Sequence, residues 1–121
     1  MRKLATLIMV ALTGLCSMEA FAQQGPIKSC RKDIKDQQTG FILLQCTVVE
    51  NGTFISDVVF NRHNCLSTKT MAEKFNIPAL LGSGINKTYN FGQLFSVVQW
   101  NCPNIIEVTI LTNKGNVTFE W

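Results

Sequence analysis

Residues 41–61, FILLQCTVVENGTFISDVVFN, alternate apolar with polar or small side chains on both sides of Asn51-Gly52. Period-two alternation marks a strand with one buried face. Asn-Gly between two such runs predicts a hairpin closed by a type I′ turn, because that turn needs positive φ at both central residues. The expected register pairs Glu50 with Thr53 and Val49 with Phe54, back to Ile42 opposite Asn61. One face then carries Ile42, Leu44, Cys46 and Val48 against Ile55, Asp57 and Val59, and is the expected core. The other carries Leu43, Gln45, Thr47 and Val49 against Phe54, Ser56, Val58 and Phe60, a mixed face expected to be partly covered.

The pattern continues on both sides. Ile27 to Lys35 reads as a first strand whose charges suit a sheet edge. The run from Asp36 to Gly40 turns the chain toward Phe41, and Asn61 to Cys65 is a polar loop. Within Leu66 to Asn76, Met71 to Phe75 fits one helical turn, Ser67 to Thr70 prefers extended structure, and Pro78 ends anything helical. The apolar, glycine-broken run from Ile77 to Ile85 is a packed loop or, read functionally, a hinge formed by Leu80, Leu81, Gly82, Ser83 and Gly84. Strand character returns over Asn86 to Phe91 and Gln93 to Trp100. Trp100 shares its parity with Leu94, Val98 and Cys102, which points it toward the core beside a disulfide. A last hairpin runs from Ile105 to Trp121 around Lys114-Gly115, with Ile106, Val108 and Ile110 on one face with Phe119 and Trp121. Six or seven short strands at this spacing predict an all-β fold, a small immunoglobulin-like or fibronectin III-like antiparallel β-sandwich, with a small closed barrel as the alternative.

The N-terminal stretch changes the frame. Arg2-Lys3, an apolar run from Leu4 to Leu15 and the Ala20-Phe21-Ala22 signal read as an export leader, residues 1–22, cut after Ala22. The apolar run is shorter than the roughly 20 residues a membrane anchor needs. Leu15 before Cys16 breaks the pattern that lipidation requires. One β-sandwich domain, residues 23–121, is then expected outside the membrane, in the periplasm or beyond the cell.

Cys30, Cys46, Cys65 and Cys102 survive cleavage, and an even count behind an export signal reads as two disulfides. Cys30 and Cys46 lie at equal distance from Gln38, so a hairpin centred there sets them opposite each other and favours Cys30–Cys46 with Cys65–Cys102. Cys46 on an inner face also has a path to the opposite sheet, as in immunoglobulin domains, so the pairing stays open at this point.

Charge and chemistry exclude more than they identify. The mildly basic chain, formal net charge +3, lacks the aromatic-interleaved basic pattern of a nucleic-acid binder. His63 is the sole histidine and there is no Cys-x-x-Cys pair, so neither zinc nor another cofactor is expected. Asp57 is the one carboxylate expected on the apolar face, and a strand end explains it better than catalysis does. No placed nucleophile and base stand out, and the chain does not read as an enzyme. Of the three Asn-x-Thr triplets at Asn51, Asn86 and Asn116, two overlap predicted hairpin turns, and behind a leader of bacterial type all three read as accidental. A binding role is better founded, through exposed loops or an open strand edge. The candidate surface combines Phe54, Val58 and Phe60 with the basic Lys28, Arg31 and Lys32.

At Ile55 to Cys65 and at Ile106 to Gly115 the chain resembles the IrmA family of small secreted enterobacterial antigens. The resemblance implies a fibronectin III-like fold, a strand-exchanged homodimer, and host-immune interaction by cytokine-receptor mimicry. Its expected partners are a host cytokine, a cytokine receptor or an immunoglobulin. Two other classes compete: a periplasmic inhibitor or anti-toxin that blocks an enzyme with a loop, and an accessory subunit of a surface fibre.

Overall fold

The computed structural model describes residues 17–21, 25–36, 38, 41–76, 84–100, 102 and 104–121. Among these residues eight strands, β1 (Ser17–Phe21), β2 (Ile27–Asp36), β3 (Phe41–Val48), β4 (Thr53–Phe60), β5 (Lys87–Tyr89), β6 (Leu94–Gln99), β7 (Glu107–Thr112) and β8 (Val117–Glu120), form two antiparallel sheets. Their orders are β1-β2-β3-β6 and β5-β4-β7-β8. Setting β1 aside, this is a three-plus-four sandwich of the fibronectin III kind. Among the described residues between β4 and β5 are a 3-10 turn (Asn61–His63) and one α-helix, α1 (Thr68–Phe75).

The core forms where the inner faces meet. Ile42, Leu44, Cys46 and Val48 of β3 are all buried, as the alternation predicts. They share one cluster with Phe95 and Val97 of β6 and with Ile55, Val58, Phe60, Val108, Ile110 and Phe119 of the other sheet. Cys30 stands opposite Cys46 across the β2–β3 ladder, and the two are bonded; Cys65 is bonded to Cys102.

The Asn51-Gly52 turn is real, but its flanking strands do not pair. β3 and β4 belong to different sheets, so the turn is a corner that carries the chain from one layer to the other. Gly52 has φ 70°, while Asn51 is not among the positive-φ residues, so the type I′ hairpin geometry is absent. Side chains from elsewhere hold the corner. Asn90 Oδ1 accepts from the Gly52 N–H, Asn51 Oδ1 accepts from the Phe91 N–H, and the Asn113 carboxamide spans Phe54 N and Gly52 O.

Inside β4 a register shift between Ile55 and Asp57 inverts the expected faces. Beyond it Val58 and Phe60 point inward and are fully buried. Asp57 does not sit opposite Cys46 in the core; it lies at the bulge, where its Oδ1 accepts from the Val58 and Lys69 N–H groups. That carboxylate thereby faces the first turn of α1, a placement the helix dipole favours. Ser67, expected in extended chain, is the N-cap, and its Oγ accepts from Thr70 N.

Trp100 also departs from expectation. In β6 the buried positions are Phe95, Val97 and Gln99, so Trp100 and Leu94 lie on the outer side. Gln99 is tolerated inside because its Nε2 donates to the Leu66 carbonyl. Trp100 instead stacks on Phe41, centroids 6.5 Å apart, and leans on Phe75 of α1 at 5.6 Å. In the last hairpin the final cross-strand partners are Ile110 and Val117, a wider turn than a two-residue Lys114-Gly115 loop.

Candidate functional site

The surface expected from sequence is not assembled. Val58 and Phe60 are core residues, and Lys32 is 8% exposed, while Phe54, Lys28 and Arg31 remain at the surface. Lys32 points between the sheets: its Nζ donates to the Ile105 carbonyl at 2.5 Å and lies 5.2 Å from the Trp121 ring centroid. Burial pushes the Lys32 ammonium below its ordinary value of 10.5. Of the expected hinge, Leu80, Leu81, Gly82 and Ser83 lie outside the described residues. Gly84 is tied at both groups, its N–H donating to Ser96 O and its carbonyl accepting from the Tyr89 hydroxyl.

A different surface is built at one end of the sheet that holds β4, β7 and β8. Directly after β4, Asn61, Arg62 and His63 have φ of 49°, 53° and 72°, three successive non-glycine residues in left-handed conformation. Each such residue costs roughly 1–2 kcal/mol, least for Asn, so the turn persists only because neighbours fix it. Asn61 does most of the fixing. Its Nδ2 donates to Asn104 O at 2.7 Å, and its Oδ1 accepts from Ile106 N at 2.9 Å and from Glu107 N at 3.1 Å. The Cys65–Cys102 disulfide braces the same two segments. Arg62 Nε donates to Glu107 Oε1 at 2.9 Å and sits 3.4 Å from Oε2, while its side chain stays 79% exposed.

Asn61, Arg62 and Glu107 wall an open groove of about 530 Å³, completed by Asn64, Ile106, Glu120 and Trp121. Ile106, expected to face inward with Val108, is 62% exposed. It precedes β7, at the point where Asn61 takes the two backbone N–H groups and turns the chain out. Glu107 and Glu120 stand directly opposite each other in the β7–β8 register. Like charges in that position repel, and Arg62 is placed to relieve one of them. The groove thus offers an exposed aliphatic side chain, an indole and an arginine–carboxylate pair on a rigid frame. That combination suits contact with a polypeptide.

Neither Asn61 nor Ile106 is among the binding candidates of the sequence reading. Asn61 has a signal all the same: asparagine is the non-glycine residue most at ease in left-handed conformation, and it opens a polar run directly after an apolar strand. Among the described residues no group of three or more His, Cys, Asp or Glu is arranged to hold a metal ion. No described helix is long and apolar enough to cross a membrane. No protein-family model, curated protein or solved structure matches the chain.

Proposed function

We propose that the protein is an exported binding module that recognises another protein through the groove beside the Asn61–His63 turn. The observation that carries this reading is the turn itself. It spends conformational energy on three left-handed residues and fixes them with Asn61 and a disulfide, beyond what a plain connection needs. The resemblance to the IrmA family supplies the first ligands to test: host cytokines, cytokine-receptor ectodomains and immunoglobulins. Strand exchange between two copies through the segment from Leu80 to Gly84 belongs to the same proposal.

The test is surface plasmon resonance of the exported, oxidised protein against those ligands, with Arg62→Ala and Ile106→Asp as variants. Saturable binding that either variant weakens at least tenfold supports the reading. Binding that neither variant alters moves the site away from the groove, and no binding to any ligand removes host-immune recognition. Light scattering at several dilutions addresses the homodimer separately.

A second reading has its own support. A disulfide-braced, exposed loop from Asn61 to Asn64 suits an inhibitor that inserts a loop into an enzyme. Loss of an enzyme's turnover in the presence of the wild-type protein, restored with Arg62→Ala, distinguishes it.

A further inference from the structure

The stretch read as the end of the export leader is also an edge strand. Ser17–Phe21 pairs antiparallel with β2 in unbroken register, from Ser17 opposite Asp33 to Phe21 opposite Ser29. β2 is therefore not the sheet edge expected from its charges; β1 covers it. The signal for cleavage, Ala20-Phe21-Ala22, overlaps that strand, so a cut after Ala22 removes all of β1. Among the residues whose burial is described, the buried hydrophobic cluster runs from Ile27 to Phe119.

The edge left behind is bounded and charged. Along the β2–β3 ladder, irregularities fall between Ile27 and Ser29 and between Ile34 and Asp36. The regular stretch between them is Ser29–Ile34, and β1 occupies Ser29–Asp33 of it. Bulges and lysines are the usual protection of an edge against uncontrolled pairing. Here they flank the window: Lys28 and Lys35 are exposed just beyond its ends, and Arg31 is exposed at its centre. Glu19 is the register partner of Arg31, so the covering strand carries an acidic residue at the position of the central cation.

We propose that Ser29–Asp33 is a strand-acceptor site that the leader covers before cleavage. After cleavage it takes an extended segment of a partner protein bearing a carboxylate opposite Arg31. Backbone N–H and C=O groups freed on one side of β2 supply the affinity, and Arg31 supplies the selection. The proposal rests on the reading of the chain as an exported, processed binding module. It concerns the sheet opposite the groove, so the two sites fail independently.

The intact mass of the exported protein is measured first. Loss of residues 1–22 establishes the processed form; retention overturns the proposal, because the edge then never opens. Amide hydrogen exchange of Ser29–Asp33 is next compared between the oxidised full chain and the processed protein. Exchange at least tenfold faster after processing is expected. The capped synthetic peptide of residues 17–21 is then the probe, beside a version with Glu19→Lys. The native peptide is expected to slow exchange at Ser29–Asp33 at least threefold more than the lysine version, and an Arg31→Glu protein to reverse that preference. Exchange unchanged by processing, no slowing by either peptide, or equal slowing by both overturns the proposal. So does a processed protein that protects this window by forming a dimer. A peptide effect that survives Arg62→Ala, in a protein that binds nothing through its groove, leaves this site standing without the other.

Discussion

Lys32 and Trp121 meet across the two sheets, the Nζ of Lys32 lying 5.2 Å from the indole centroid. Among the described residues the ammonium donates to the Ile105 carbonyl. Desolvation lowers its pKa from 10.5. The folded protein therefore releases this proton at lower pH than the unfolded chain. Between the lowered value and 10.5 the unfolded state binds more protons, so Lys32 adds stability as pH rises through that interval. Below the lowered value the whole desolvation cost is carried.

Lys32→Met removes that alkaline gain. Urea midpoints of the wild type and the variant, measured from about pH 7 to about pH 10.5, are expected to converge in the wild type's favour as pH rises. A constant difference between the two proteins across that range would exclude Lys32 as the source.

The bulge in β4 separates two phenylalanines that the simple alternation puts on one face. Phe60 is fully buried and Phe54 is 37% exposed. Phe60→Ala is expected to cost about 3–5 kcal/mol, as core phenylalanines do. Phe54→Ala is expected to cost about 1 kcal/mol or less. Chemical denaturation of both variants decides it; equal losses would mean that the strand runs without the shift.

These two residues also mark what the sequence could reveal. Pairings between neighbours in sequence were legible: Gln38 as the centre of the β2–β3 hairpin placed Cys30 against Cys46, and β7 and β8 were found with their buried faces. Asn51-Gly52 announced a turn, yet alternation looks the same whether the flanking strands pair or cross between layers. A bulge adds one residue and leaves no trace in composition, so parity beyond Ile55 was inverted. Parity failed at Trp100 because a polar residue, Gln99, faces inward where Leu66 offers a carbonyl. The groove was illegible for a related reason: its walls come from Asn61, Arg62, Asn64, Ile106 and Trp121, brought together only by the tertiary fold.

Helix α1 depends on two caps from different elements. Ser67 Oγ accepts from Thr70 N, and Asp57 Oδ1 from Lys69 N. Ser67→Ala and Asp57→Ala are each expected to cost about 1 kcal/mol. Exchange of the α1 amides, measured beside global stability, checks that the loss is local. Protection unchanged in both variants would show that packing of Met71 alone holds the helix.

The two disulfides close loops of different length, with sequence separations of 16 for Cys30–Cys46 and 37 for Cys65–Cys102. Loop-closure entropy alone gives about 3 kcal/mol for the first and about 4 kcal/mol for the second. The second also braces the segments that Asn61 joins, so replacing Cys65 and Cys102 with alanine is expected to be the more damaging double substitution. Guanidinium unfolding of the two pairs measures the order, and the reverse order would place the greater constraint at the β2–β3 ladder.

The left-handed turn permits a sharper test, because strain and its compensation sit on different residues. Asn61→Ala removes the bonds to Asn104, Ile106 and Glu107 while keeping a side chain in left-handed backbone. At about 1 kcal/mol per hydrogen bond plus about 1 kcal/mol of conformational penalty, a loss of about 4 kcal/mol is expected. His63 is exposed at φ 72°. Glycine there relieves the backbone, offset by its greater freedom in the unfolded chain, so His63→Gly is expected to fall between neutral and about 1 kcal/mol more stable. Thermal and urea unfolding of both variants, with ligand binding measured alongside, separates the cost of the turn from its use. A protein stabilised by His63→Gly that also binds its partner less tightly shows that the strain orders the contact surface. A large loss of stability in His63→Gly would mean that the side chain, not the backbone, is what the fold retains.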